Sequence, residues 1–184
     1  MYRLPVHYEL IRQASEAMKC PVCANGHVYS AEQALEVLKQ TKAHGLMIGR
    51  GVIRSPWLFN QIRQRLRGEP VTYPTGRDVL EYITALWESQ ASFDAPEKIQ
   101  VERMKKFMNY LGEGVGPERR SPHRPDGAVI ERADPEIVAP NAGTFLHQIR
   151  RAETTAVFFR ICREFLDHDQ PEVLEPAHQS QLPG

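Results

Sequence analysis

The sequence predicts an α/β segment followed by an all-α half, and three observations carry that prediction. Between Pro21 and Gly51 a short apolar run (21–24), a helical stretch and a second apolar run (46–48) alternate as strand, helix and strand. Two strands joined by a helix run parallel, and a parallel sheet is ordinarily covered on both faces. Both strands end in glycine turns, Asn25-Gly26 and Gly49-Arg50-Gly51, where the backbone can take positive φ or approach a ligand closely. After residue 76, apolar residues recur only at helical spacing. In a closed barrel of eight βα units, the loops after the last two strands commonly form a phosphate site from backbone N–H groups. Two neighbouring glycine turns at one end of a parallel sheet have that character.

Composition narrows the class. The 184 residues are 41% hydrophobic and 25% charged, as in a soluble globular protein able to bury a core. No apolar run approaches the length of a bilayer span, and the first residues lack a signal-peptide core, so a cytoplasmic location is expected. Three cysteines and a formal net charge of +0 point neither to a disulfide scaffold nor to a strongly basic nucleic-acid footprint. Contact with RNA would have to rest on a local basic face. No internal repeat is visible.

Each element has its own warrant. Residues 7–18 place Leu10, Ile11, Ala14, Ala17 and Met18 on one helical stripe. The helix between the strands opens with Ser30 and Gln33 as a capping box. It presents Ala31, Ala34, Leu35 and Leu38 to one side and ends with Gly45 beyond its last turn. Ser55-Pro56 predicts an N-cap with proline at the first helical position. The helix that follows, to about residue 66, buries Trp57, Phe59, Ile62 and Leu66. Residues 1–67 thus read as the end of a βα series. Residues 68–76, rich in Pro and Gly, read as a linker.

Thr75 with Asp78 opens a helix whose stripe is Val79, Leu80, Ile83, Leu86 and Trp87. A second helix over residues 97–111 aligns Ile99, Met104, Phe107, Met108 and Leu111. A last pair covers 144–151 and 154–166, the latter with Phe158, Ile161, Cys162, Phe165 and Leu166 inward. Residues 77–168 are a small helical bundle on this reading, interrupted at 113–143 by a charged, proline-rich stretch read as a disordered insertion. Residues 169–184 read as a flexible tail.

In this order and spacing, P-V-C-A-N-G, S-A-E-Q-A, G-L-M-I-G-R-G and S-P-W-L-F resemble the C-terminal part of the tRNA-dihydrouridine synthase family. M-K-K-F-M-N-Y-L (104–111), I-R-R (149–151) and F-F-R-I-C (158–162) resemble that family's helical domain. The resemblance covers residues 7–112 and 144–168. It implies the last two strands and flanking helices of a partial (β/α)8 TIM barrel, followed by a small helical bundle. It further implies an FMN-dependent enzyme that reduces uridine in tRNA to 5,6-dihydrouridine, with NADPH or NADH recharging the flavin. Asn25, Gly26 and His27 match the family's flavin-contacting turn after the seventh strand, and Gly49 and Arg50 the turn after the eighth. His27 stands where an acidic residue is commoner. On that resemblance Lys105, Lys106, Arg150 and Arg151 could be phosphate-contacting residues of a tRNA-binding face. The family's catalytic cysteine lies on an earlier strand, and none of Cys20, Cys23 and Cys162 has that context. The resemblance therefore implies a fragment, inactive alone, whose partner is the missing N-terminal part of the barrel.

Other readings compete. The C-P-V-C of Cys20 and Cys23 suggests a redox or zinc motif, but the second cysteine meets a strand end, not a helix, and no second ligand pair is present. Both are expected to be buried or half-buried strand cysteines, and no metal site is expected. The basic residues could equally be a solvated helix face. An alternative function is a non-enzymatic RNA-binding remnant using the helical half alone. A third is another phosphate-binding barrel enzyme with similar glycine turns.

Overall fold

The computed structural model describes residues 5–90, 95–116 and 144–175. It is helix-rich, and the chain divides into two compact units, Met1–Val71 and Thr72–Gly184.

The first unit runs α1 (Tyr8–Ala17), β1 (Cys23–Asn25), α2 (Ala31–Thr41), β2 (Gly45–Met47), α3 (Arg50–Arg54) and α4 (Leu58–Leu66). β1 and β2 pair in parallel, Cys23 opposite Gly45, Ala24 opposite Leu46 and Asn25 opposite Met47. The connecting α2 begins as expected. The Ser30 hydroxyl accepts the Gln33 N–H at 3.1 Å, and the Gln33 side chain accepts the Tyr29 N–H at 2.9 Å. It ends earlier than predicted. Lys42 takes the left-handed cap conformation at φ 52°, with its N–H on Leu38 O, and Gly45 instead opens β2. Ala31, Ala34 and Val37 are buried on α2, while Leu35 and Leu38 are half-buried.

Among the described residues, only one face of the two-stranded sheet is covered. Side chains alternate across a strand, so Ala24 (1% exposed) faces α2. Cys23, Asn25 and Met47 lie on the other face, and all three are exposed. The expected burial of Cys20 and Cys23 is therefore corrected: both are exposed free thiols. One-sidedness also explains the outer helices. α1 buries no residue completely, and Leu10 and Met18 are each 56% exposed, because α1 rests mainly on α2. Ser55 caps the end of α3, its N–H on Gly51 O at 2.9 Å, so α4 starts two residues later than Ser55-Pro56 suggested. Leu58, Gln61 and Ile62 are its buried residues, while Phe59 and Leu66 are 43% and 60% exposed.

The second unit contains α5 (Gly76–Gln90), α6 (Glu97–Leu111), a 3-10 turn (Gly112–Gly114), α7 (Phe145–Arg151) and α8 (Thr155–Leu166). Thr75 and Asp78 form a reciprocal cap: the Asp78 carboxylate accepts from the Thr75 N–H and hydroxyl, both at 2.7 Å. Val79, Ile83, Met104, Met108, Leu111, Phe145, Ile149, Phe158, Cys162 and Leu166 are buried at its centre. Trp87 packs edge-on to Phe159 at 5.4 Å between centroids. Of the stripes expected in this unit, only Ile99 among the described residues lies out in solvent, at 47%.

Two expected irregular segments are shorter than read. Val115 and Gly116 are buried after the 3-10 turn, so the segment read as an insertion from 113 is packed up to 116. Its remainder, 117–143, lies outside the described residues. Residues 170–175 are packed as well. Gly76 donates its N–H to Gln170 O at 3.1 Å, and Glu172 donates to Pro74 O at 2.8 Å, ending the expected linker at about Pro74. A β-carbon on Gly114 would stand 2.7 Å from Leu174 Cα. The described part of the tail therefore closes against both the 3-10 turn and the start of α5, and 176–184 lie outside the described residues.

Candidate functional site

Parallel pairing sends both strands out of the same edge of the sheet. Asn25, Gly26 and His27 follow β1 there, and Gly49 and Arg50 follow β2. The three glycines at this mouth have different reasons to be glycine. Gly26 sits at φ 133°, a conformation L side chains rarely adopt, and an added β-carbon would lie 2.6 Å from Val6 Cγ2. The Tyr8 hydroxyl donates to Gly26 O at 3.0 Å, so α1 holds this turn in place. A β-carbon on Gly51 would stand 2.2 Å from Val28 O, which makes Gly51 a packing glycine between the two turns. Above Gly49 nothing among the described residues lies within 4 Å of the place a β-carbon would take. Internal packing does not demand glycine there, and the space is open to a ligand.

Two further features suit an anionic, phosphate-ended group. His27 is itself in the left-handed region, at φ 47°. Its Nδ1 is buried with no hydrogen-bond partner among the described residues, so a donor or acceptor is held ready beside the turn. Arg54, 5% exposed, places its guanidinium over the Tyr29 ring, 5.6 Å from the centroid. Sequence reasoning missed Arg54. Its position at the end of a short helix after G-R-G gave no periodic signal, and a buried arginine is rare enough that composition argues against it.

The basic residues of the second unit do not form one uniform set. Lys105 is held by Glu102 at 2.7 Å, and its side chain is only 13% exposed. Lys106 and Arg151 are exposed. Arg150 is exposed and donates from Nε and Nη2 to Asn109 Oδ1, at 3.1 and 3.0 Å. Among the described residues no group of His, Cys, Asp and Glu could hold a metal ion. No helix of the described residues is long and apolar enough to cross a membrane. Cys162 is buried, and burial pushes its thiol up to about 12, the reverse of an activated cysteine.

The mouth defines a class, an α/β protein with two adjacent glycine turns at one end of a parallel sheet. The comparisons narrow it. A family model described as dihydrouridine synthase (Dus) matches residues 1–119, and the chain belongs to that family. It is 31% identical over 109 residues to a probable tRNA-dihydrouridine synthase of Rickettsia conorii, covering 59% of this chain and 33% of that one. It is 28% identical over 116 residues to the tRNA-dihydrouridine(16) synthase of Neisseria meningitidis serogroup A, covering 63% and 35%. A probable tRNA-dihydrouridine synthase of Helicobacter pylori is 50% identical over 58 residues, 32% of this chain and 18% of that one. The matches thus span about a third or less of the length of these relatives.

Proposed function

We propose that the chain is the C-terminal portion of an FMN-dependent tRNA-dihydrouridine synthase, a partial TIM barrel followed by a helical unit that grips tRNA. The whole enzyme reduces uridine in tRNA to 5,6-dihydrouridine in the cytoplasm, with NADPH or NADH as reductant. The observation that supports this most is the parallel register, which brings the turns of Gly26 and Gly49 out of one edge of the sheet in a chain of this family. Backbone N–H groups of Gly26, His27, Gly49 and Arg50 hold the phosphate end of the flavin, and Asn25 closes the β1 side of the cradle. When bound, FMN supplies the hydride chemistry. This chain's residues bind and orient its phosphate tail.

The exposed sheet face with Cys23, Asn25 and Met47 is the side on which the rest of the barrel completes the site. Alone, the chain holds only part of the flavin's contacts and is inactive. Flavin fluorescence titration tests this: weak FMN binding is expected from the isolated chain, and tight, stoichiometric binding contradicts the partial-barrel reading.

A second reading, a non-enzymatic RNA-binding remnant, draws on the helical unit being compact by itself with Lys106, Arg150 and Arg151 exposed. It expects salt-sensitive tRNA binding to survive deletion of residues 1–67. Loss of all binding on that deletion counts against it.

A further inference from the structure

Most cations fixed on the surface of the helical unit are fixed by carboxylates. Arg77 pairs with Asp167 and Asp169, Lys105 with Glu102, and Arg160 with Glu164 at 3.7 Å. Arg150 differs. Its guanidinium is held by the neutral side-chain oxygen of Asn109, across from α7 to α6, and no carboxylate is within ion-pair distance among the described residues.

The chemistry of that arrangement is specific. An amide oxygen orients a guanidinium without cancelling its charge. Of the five N–H donors of an arginine, two go to Asn109. The three that remain sit on Nη1 and Nη2, the end of the fork that meets a phosphate with two parallel hydrogen bonds. A flexible arginine must lose rotamer freedom on binding; one already tethered loses less.

We infer that Asn109 is a positioning residue for RNA binding, aiming Arg150 at a backbone phosphate while leaving its charge whole. This rests on the tRNA-binding reading above. The pair also separates Arg150 from Lys105, whose charge is already answered by Glu102.

The test titrates the full chain with bulk transfer RNA, read by fluorescence anisotropy from about 50 to 200 mM salt. In Asn109→Asp the hydrogen bonds persist but the charge is answered. Affinity should fall roughly three- to tenfold, and the slope of log K against log salt should shrink by about one. In Asn109→Ala the charge remains but the aim is lost. Affinity should fall about two- to tenfold with the slope unchanged. Arg150→Lys, which keeps the charge and loses the fork, should behave like Asn109→Ala. A merely structural role for Asn109 shifts the melting temperature and leaves these slopes alone. Wild-type affinity in Asn109→Ala, or a wild-type slope in Asn109→Asp, overturns the inference by itself. Failure of the unaltered chain to bind transfer RNA overturns the RNA-binding reading and this inference with it.

Discussion

Asn25 on β1 lies opposite Met47 on β2 in a parallel pair, and its Nδ2 donates to the Met47 sulfur at 3.0 Å. That single register decides where the two glycine turns emerge. Two residues beyond Asn25 is His27, and two beyond Met47 is Gly49, so the two turns leave the sheet together. An antiparallel pairing would have put them at opposite ends.

The glycines of this mouth should separate by substitution. Gly26→Ala meets both a strained φ and Val6, and should destabilise the first unit by roughly 1–3 kcal/mol. Gly49→Ala has open space around the new methyl. It should leave the urea unfolding midpoint nearly unchanged while weakening FMN binding several-fold. Equal losses of stability in both variants would remove the distinction.

The two neighbouring lysines should not be equivalent toward RNA. Lys106→Gln is expected to lower tRNA affinity and reduce the salt slope by about one. Lys105→Gln should change little, since its charge is already met by Glu102 and its side chain is largely covered. Salt-dependent binding of the two variants, measured side by side, checks this.

Cysteine reactivity should divide two to one. Cys20 and Cys23 are exposed and Cys162 buried, so iodoacetamide should modify two thiols of the native chain. The third should react only on unfolding. With its thiol held up at about 12, Cys162 should remain unreactive across the neutral range, and mass spectrometry of the alkylated peptides reads the outcome.

Acid should weaken the start of α5. Hydrogen bonds from the Thr75 backbone and hydroxyl hold the Asp78 carboxyl below its ordinary range. A carboxyl whose folded value is depressed stabilises fully above its unfolded value, near 4. That contribution disappears as pH falls through the lower folded value. Asp78→Asn should therefore lose about 1 kcal/mol or less at pH 7, with the difference from wild type shrinking toward pH 3. Urea midpoints at the two pH values measure it.

Much of this architecture was legible in the sequence because local rules and tertiary packing agree. The Ser30–Gln33 and Thr75–Asp78 caps, the helix over 97–111 and the buried face of α8 all follow from short-range pattern. The failures share a physical origin. Periodicity says which side of an element is apolar but not whether anything covers it. Cys23, Met47, Leu10, Phe59 and Leu66 satisfy the pattern and lie exposed, because among the described residues the sheet has one covered face and α1 and α4 both pack mainly on α2. Pattern is equally blind to contacts closed by distant chain. Residues 170–175 look like a tail until Glu172 bonds to Pro74 and Leu174 packs on Gly114. At the site, the glycine turns could be read from sequence, but the burial of Arg54 and the Asn109–Arg150 tether could not. Each depends on two helices or turns meeting in space.

In the proposed function, the turns after β1 and β2 grip one phosphate between them. The most direct measurement is an amide NMR titration of the nitrogen-15-labelled chain with FMN, and in parallel with riboflavin, which lacks the phosphate. Shifts are expected at Gly26, His27, Gly49 and Arg50 with FMN, and little change there with riboflavin. Identical responses to the two flavins, or shifts that avoid one of the two turns, would contradict it.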